Sequence, residues 1–141
     1  MSSEMDEKIQ GMLQHNPLAF STGLARSDLG FLRLRGVNVN RCEDVFHPLD
    51  AWSMTDWATA LAGEVGEFCN IVKKIRRLGG GDQRLDSPEY RDLLAVKAVI
   101  ELADVVIYAD LCAARLHKDL AAAIRWKFNA VSDERGSAIK L

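Results

Sequence analysis

Apolar residues recur at threes and fours along two long stretches of this chain, and the polar residues between them mark helix ends. Trp57, Leu61, Val65, Phe68, Ile71, Val72 and Ile75 follow the helical period. Ser53 or Thr55 caps this helix, which runs to about Arg77 and stops at Gly79, Gly80 and Gly81. Lys73, Lys74, Arg76 and Arg77 crowd its last turns, where cations complement the negative end of the helix dipole. Residues 79–88 read as a mobile loop. Ser87-Pro88-Glu89 then opens a second long helix, with Ser as cap and Pro in the first turn, running to about His117. From 95 to 114 it is apolar nearly all round, the pattern of a helix buried on most sides. Asp119 caps a third helix, 120 to about 131.

The pattern weakens before His47-Pro48. Residues 4–14 fit a short helix stopped by Asn16-Pro17. Residues 21–40 hold Gly23, Gly30 and Gly36 among scattered Leu and Arg with no sustained period, and a second short helix is placed near 24–34. The chain therefore reads as an N-terminal segment over 1–45, a helical domain over 46–137 and a loose tail over 138–141. Glycine and proline are sparse in its second half, and Ala and Leu plentiful. Three to five helices with short connections make an all-α bundle the expected architecture.

Charge and cysteine content narrow the setting. With 18 basic and 20 acidic side chains the net charge is −2, which gives no general attraction to nucleic acid or to an acidic membrane surface. The basic run from Lys73 to Arg77 is too short and isolated to change that. No apolar run reaches the roughly 18 residues needed to cross a bilayer, and the polar, acidic start is unlike a secretory leader. Cys42, Cys69 and Cys112 are odd in number and widely spaced, so free thiols in a reducing cytoplasm fit better than disulfides or structural zinc.

The candidate chemistry lies in four carboxylates. Glu64 and Glu67 sit on the first long helix, Glu101 and Asp104 on the second, each pair spaced i, i+3 and so projecting from one helical face. Acids so placed repel one another and push each other toward protonation. The second pair also interrupts a strongly apolar run, and burying an unpaired carboxylate costs several kcal/mol, on the order of a small domain's whole stability. Facing the pairs across a helix–helix seam would surround one cavity with hard oxygen ligands, the coordination that Mg²⁺ or Mn²⁺ prefers. The alternative is that the acids lie on solvated faces or pair with Lys97, Lys73 or Arg115. A di-iron carboxylate bundle requires Glu-x-x-His pairs, and His15, His47 and His117 stand at none of the required offsets.

An ExxE followed by an ExxD on a second helix resembles the signature of the MazG-like branch of the all-α NTP pyrophosphatases. Leu61-Ala-Gly-Glu64-Val-Gly-Glu67 and Glu101-Leu-Ala-Asp104-Val-Val-Ile-Tyr108 carry the likeness, which covers about residues 45–137. Lys127, Asn129 and Arg135 lie in a stretch similar to the basic third-helix motif of some members, and Asn38 and Arg41 resemble a substrate-contacting patch of phage-type relatives. The gap between the pairs, residues 68–100, is longer than most members show; a surface loop absorbs such an excess at little entropic cost. The resemblance implies a helical bundle completed by oligomerisation as a homodimer or homotetramer. It also implies Mg²⁺-dependent attack of water on a nucleoside triphosphate, giving the monophosphate and pyrophosphate. Glu64, Glu67, Glu101 and Asp104 would be the ligands, with Glu67 favoured as general base and Glu64 the other catalytic candidate.

Further residues are candidates for substrate binding. Lys73 and Lys74, about two turns beyond Glu67, could reach a triphosphate, or simply be solvated helix-end charge. Asn70, one turn past Glu67, could assist a water, and Tyr108, one turn past Asp104, could line the pocket or sit buried with a local partner. Trp57, with Trp52 and Phe46, could stack on a base or belong to the core. The competing functional class is a helical oligomeric module that binds a structural cation or a nucleotide without turnover.

Overall fold

The computed structural model describes residues 3–15, 30–77 and 87–141. Among them all regular structure is helical: α1 (Ser3–His15), α2 (Phe31–Val45), α3 (Met54–Arg77), α4 (Pro88–Arg115) and α5 (Leu120–Glu134), with a 3₁₀ turn at Leu49–Ala51. The all-α expectation is met. The glycine stop and most of the loop expected at 79–88 lie outside the described residues. No described helix is long and apolar enough to cross a membrane.

The helices begin where short polar side chains can satisfy exposed amides. The Ser53 amide donates to the Asp56 carboxylate (2.9 Å) while the Asp56 amide donates back to Ser53 Oγ (3.2 Å), a reciprocal cap on α3. Hydrogen bonds from the Ser53 hydroxyl and amide hold the Asp56 carboxyl below its ordinary range. Ser87 Oγ accepts from the Tyr90 amide (3.2 Å), and Asp119 Oδ1 from that of Ala122 (3.1 Å). The ends of α4 and α5 share one closure, a six-to-one bond inside which a five-to-two bond is nested. At α4 the bonds are Lys118 N to Ala113 O (2.9 Å) and His117 N to Ala114 O (2.8 Å). At α5 they are Ser137 N to Ser132 O (2.8 Å) and Gly136 N to Asp133 O (3.0 Å). The left-handed position is Gly136 (φ 67°) in α5 but His117 (φ 55°) in α4, where a side chain makes that conformation costlier.

One expectation is corrected. The helix placed near 24–34 is instead α2, beginning at Phe31; residues 24–29 lie outside the described set. Its inward face is Leu34, Arg35, Asn38, Val39 and Cys42, spaced as a helix requires. Arg and Asn on that face broke the apolar periodicity that would have revealed it.

The chain divides into two compact units, Met1–Ser27 with Gly63–Val105 and Asp28–Ala62 with Val106–Leu141. In the first, Ile9 of α1 packs with Leu93 and Val96 of α4, while Ile71 of α3 packs with Leu94 and Ala98. Tyr90 borders both clusters.

In the second unit Cys42, Trp57 and Leu111 form the core, bordered by Val39, Leu49, Trp52, Tyr108 and Cys112. Trp57 is 2% exposed and donates its indole N–H to Leu49 O (3.1 Å). Rings of His47, Trp52 and Tyr108 stand 5.4, 4.9 and 6.2 Å from the Trp57 ring. Burial pushes the Cys42 and Cys112 thiols up, consistent with cysteines that serve packing. Beside this core the carboxylate of Asp110 accepts from Arg35 Nε (2.8 Å) and from Asn38 Nδ2 (3.3 Å). Asn38 Nδ2 also donates to Ile107 O (2.9 Å), and Arg35 NH1 to Lys118 O (3.0 Å).

The two halves of this ion pair are not equivalent, because the Arg35 side chain is 26% exposed and that of Asp110 only 2%. Arg35→Met, which leaves a buried carboxylate without its cation, is expected to cost about 3–5 kcal/mol. Asp110→Asn lets Arg35 turn to water and is expected to cost about 1–2 kcal/mol. Urea denaturation of the two variants checks the order; equal losses would mean that the pair is not what buries Asp110 stably.

Candidate metal centre

Glu64 and Glu67 stand one turn apart on α3, and Glu101 and Asp104 one turn apart on α4, all four within the first compact unit. Packing of Ile71 against Leu94 and Ala98 fixes α3 beside α4 there, so the acidic pairs are held by an aliphatic contact next to them. One carboxylate oxygen from each of Glu64, Glu101 and Asp104 lies within 4.8 Å of the others. Glu101 is 3% exposed, Glu64 and Asp104 are half-buried, and Glu67 is exposed. Glu67 thus stands outside the close group of three, near enough for its charge to act on Glu64 and Glu101.

The electrostatics record what this arrangement lacks. Burial pushes the Glu101 carboxyl above its ordinary range, and the charges of Glu67, Asp104 and Glu64 push it further. Burial likewise raises Glu64, followed by the charges of Asp104 and Glu67. Oε1 of Glu101 is buried and meets no hydrogen-bond partner among the described residues. Nearly all buried polar atoms have one, so an orphaned oxygen on a carboxylate of an acidic cluster is unusual.

A divalent cation would supply the missing partner and offset the clustered charge. Oxygens bound to one Mg²⁺ at about 2.1 Å lie about 3–4.2 Å apart, a spacing that small side-chain rotations reach from the present one. An all-oxygen donor set suits Mg²⁺ or Mn²⁺. The residues present fit such an ion.

Of the other expected site residues, Asn70, Lys73 and Lys74 are exposed on α3 in the same unit, with Arg76 and Arg77 in its last turn. Lys97, weighed as an ion-pair partner for the acids, is buried on α4 one turn before Glu101. The remaining candidates belong to the second unit. Trp57, with its ring almost wholly covered, is a core element rather than an open stacking platform. Tyr108 borders the same core. Asn38 is buried, its amide donating as described above and its Oδ1 accepting from Arg41 NH2 (3.3 Å). Asn129 binds the chain end, accepting from Leu141 N (2.8 Å) and donating to Leu141 O (3.4 Å). Arg115, like Lys97 and Lys73 a possible ion-pair partner for the acids, donates to Trp52 O (3.3 Å). Lys127, Arg135 and Arg41 are exposed.

Asp110 was not singled out from the sequence, yet it breaks the same apolar run on α4 as Glu101 does. A charge in such a run was the available signal for both. Compared with protein-family models, curated proteins and solved structures, the chain matches none.

The raised carboxyls fix the sign of a pH effect. Without divalent metal, Glu64 and Glu101 hold protons more tightly in the folded chain than in the unfolded chain, where the ordinary value is 4.5. Their contribution to stability therefore falls as pH rises from about 4.5 through the raised range. Bound metal requires both deprotonated, so the gain in melting temperature on adding Mg²⁺ is expected to grow over that window. Melts in EDTA and in Mg²⁺ across this range check it; a gain independent of pH would sink the assignment of Glu64 and Glu101 as ligands.

Proposed function

We propose that this protein is a Mg²⁺-dependent nucleoside triphosphate pyrophosphohydrolase of the MazG-like kind, converting a (d)NTP and water to the (d)NMP and pyrophosphate. The carrying observation is the trio of Glu64, Glu101 and Asp104, one oxygen of each within 4.8 Å of the others, with Glu101 Oε1 buried and unpartnered among the described residues. The ExxE and ExxD motifs supply the family resemblance. When bound, the ion would neutralise phosphate oxygens and lower the pKa of its water. Glu64, Glu101 and Asp104 hold the ion and fix its position. Glu67, exposed beside them, takes the proton from the water that attacks the α-phosphorus as pyrophosphate departs. Lys73 and Lys74, exposed farther along α3, offset charge on the triphosphate, and Asn70 orients water beside Glu67.

The active form is a homodimer or a pair of dimers in the cytoplasm. Apolar side chains left at the surface support association: Ala95, Val99 and Leu102 form an exposed stripe on α4, and Val65, Cys69 and Val72 another on α3. Leu102→Lys is expected to shift the chain toward monomer in light scattering with little loss of helicity. An unchanged mass would remove that stripe from any interface.

Pyrophosphate release from a panel of canonical and modified nucleoside triphosphates, in Mg²⁺ and in EDTA, tests the reaction. Release is expected only with Mg²⁺, falling at least 100-fold in Glu67→Ala and in Asp104→Ala. If no nucleotide turns over while Mg²⁺ still raises the melting temperature, the carboxylates hold a cation without this chemistry, and the binding-module reading replaces it.

A further inference from the structure

The two compact units handle their buried carboxylates in opposite ways. In the second, Asp110 is matched by Arg35 and Asn38. In the first, Glu101 has an oxygen buried without a hydrogen-bond partner among the described residues, and the charges of three further carboxylates act on it. Each unit has its own apolar core, that of the second built on Trp57 with Cys42 and Leu111, those of the first on aliphatic contacts of α4 with Ile9 and Ile71. A charge defect confined to one of two separately packed units lowers the free energy of opening there and leaves the other alone.

We propose that the first unit is conditionally folded: without a divalent cation the contact of α3 with α4 around Glu101 opens locally while the second unit stays packed, and cation binding closes it. The inference rests on the cation part of the functional reading and not on turnover. The orphaned Oε1 of Glu101, independent of the acidic cluster as such, points to a missing ligand. A ligand that binds only the closed form slows exchange through local opening by one plus its concentration over its dissociation constant. Metal would thus set how often the contact of α3 with α4 around Glu101 opens.

Hydrogen exchange on the full chain, in EDTA and with MgCl₂ at ten times its half-saturating concentration, tests this. Amides in 63–77 and 93–105 are expected to slow about tenfold with Mg²⁺, and those in 34–45 and 107–115 to change less than twofold. Glu101→Gln, which removes the charge at nearly constant shape, is expected to slow the first set in EDTA and abolish its response to Mg²⁺. Glu101→Met serves the same purpose should the amide fold poorly. Equal slowing of both sets by Mg²⁺, or no protection of the first set in EDTA by either variant, overturns the proposal. Selective protection without pyrophosphate release leaves it standing and removes only the hydrolysis.

Discussion

The carboxylate of Glu101 is the constraint on which the first compact unit depends. A charged oxygen taken out of water without a hydrogen bond costs several kcal/mol, a large share of what a domain this size has in total. Along the same helix, Asp110 is buried as deeply and raises no such difficulty, because a guanidinium and an amide meet its two oxygens. The two residues separate an acid with partners from one without. Asp110 is completed by Arg35 and Asn38, whereas Glu101 stands among three further carboxylates and its Oε1 meets no hydrogen-bond partner among the described residues.

The parts of the fold that were legible are those in which local chemistry and apolar period agree. Ser53, Ser87 and Asp119 announced three helices and do cap them. The first short helix was also placed correctly, at the start of the chain. α2 escaped because its buried face carries Arg35 and Asn38, whose partners lie far along the sequence and leave no periodic trace. The same long-range pairing explains why Asp110 was passed over.

For the candidate site, spacing reveals which carboxylates share a helical face, whereas the approach of Glu64 on α3 to Glu101 and Asp104 on α4 depends on how the two helices pack. Depth was not legible: i, i+3 periodicity cannot tell that Glu101 is buried and Glu67 exposed, since that is set by which neighbouring helix covers which turn. Nor could it tell that the indole of Trp57 is enclosed by three other rings. The uniformly apolar α4 was expected to be covered on most sides, yet Val99 and Leu102 lie at the surface of the single chain. Composition reports how much of a helix avoids water, and says nothing of whether its own chain or another supplies the cover.

The placement of the aromatic residues has an optical consequence. Trp52, Trp57 and Trp126, all the tryptophans the chain possesses, fall in the second compact unit. Within it, the His47 imidazole lies 4.5 Å from the Trp52 ring, close enough for a protonated histidine to quench its emission. The first unit has Tyr90 as its brightest described chromophore. Intrinsic emission from this protein therefore reports mainly on the unit other than that of Glu64, Glu101 and Asp104, and a spectrum that stays constant says little about the state of these carboxylates.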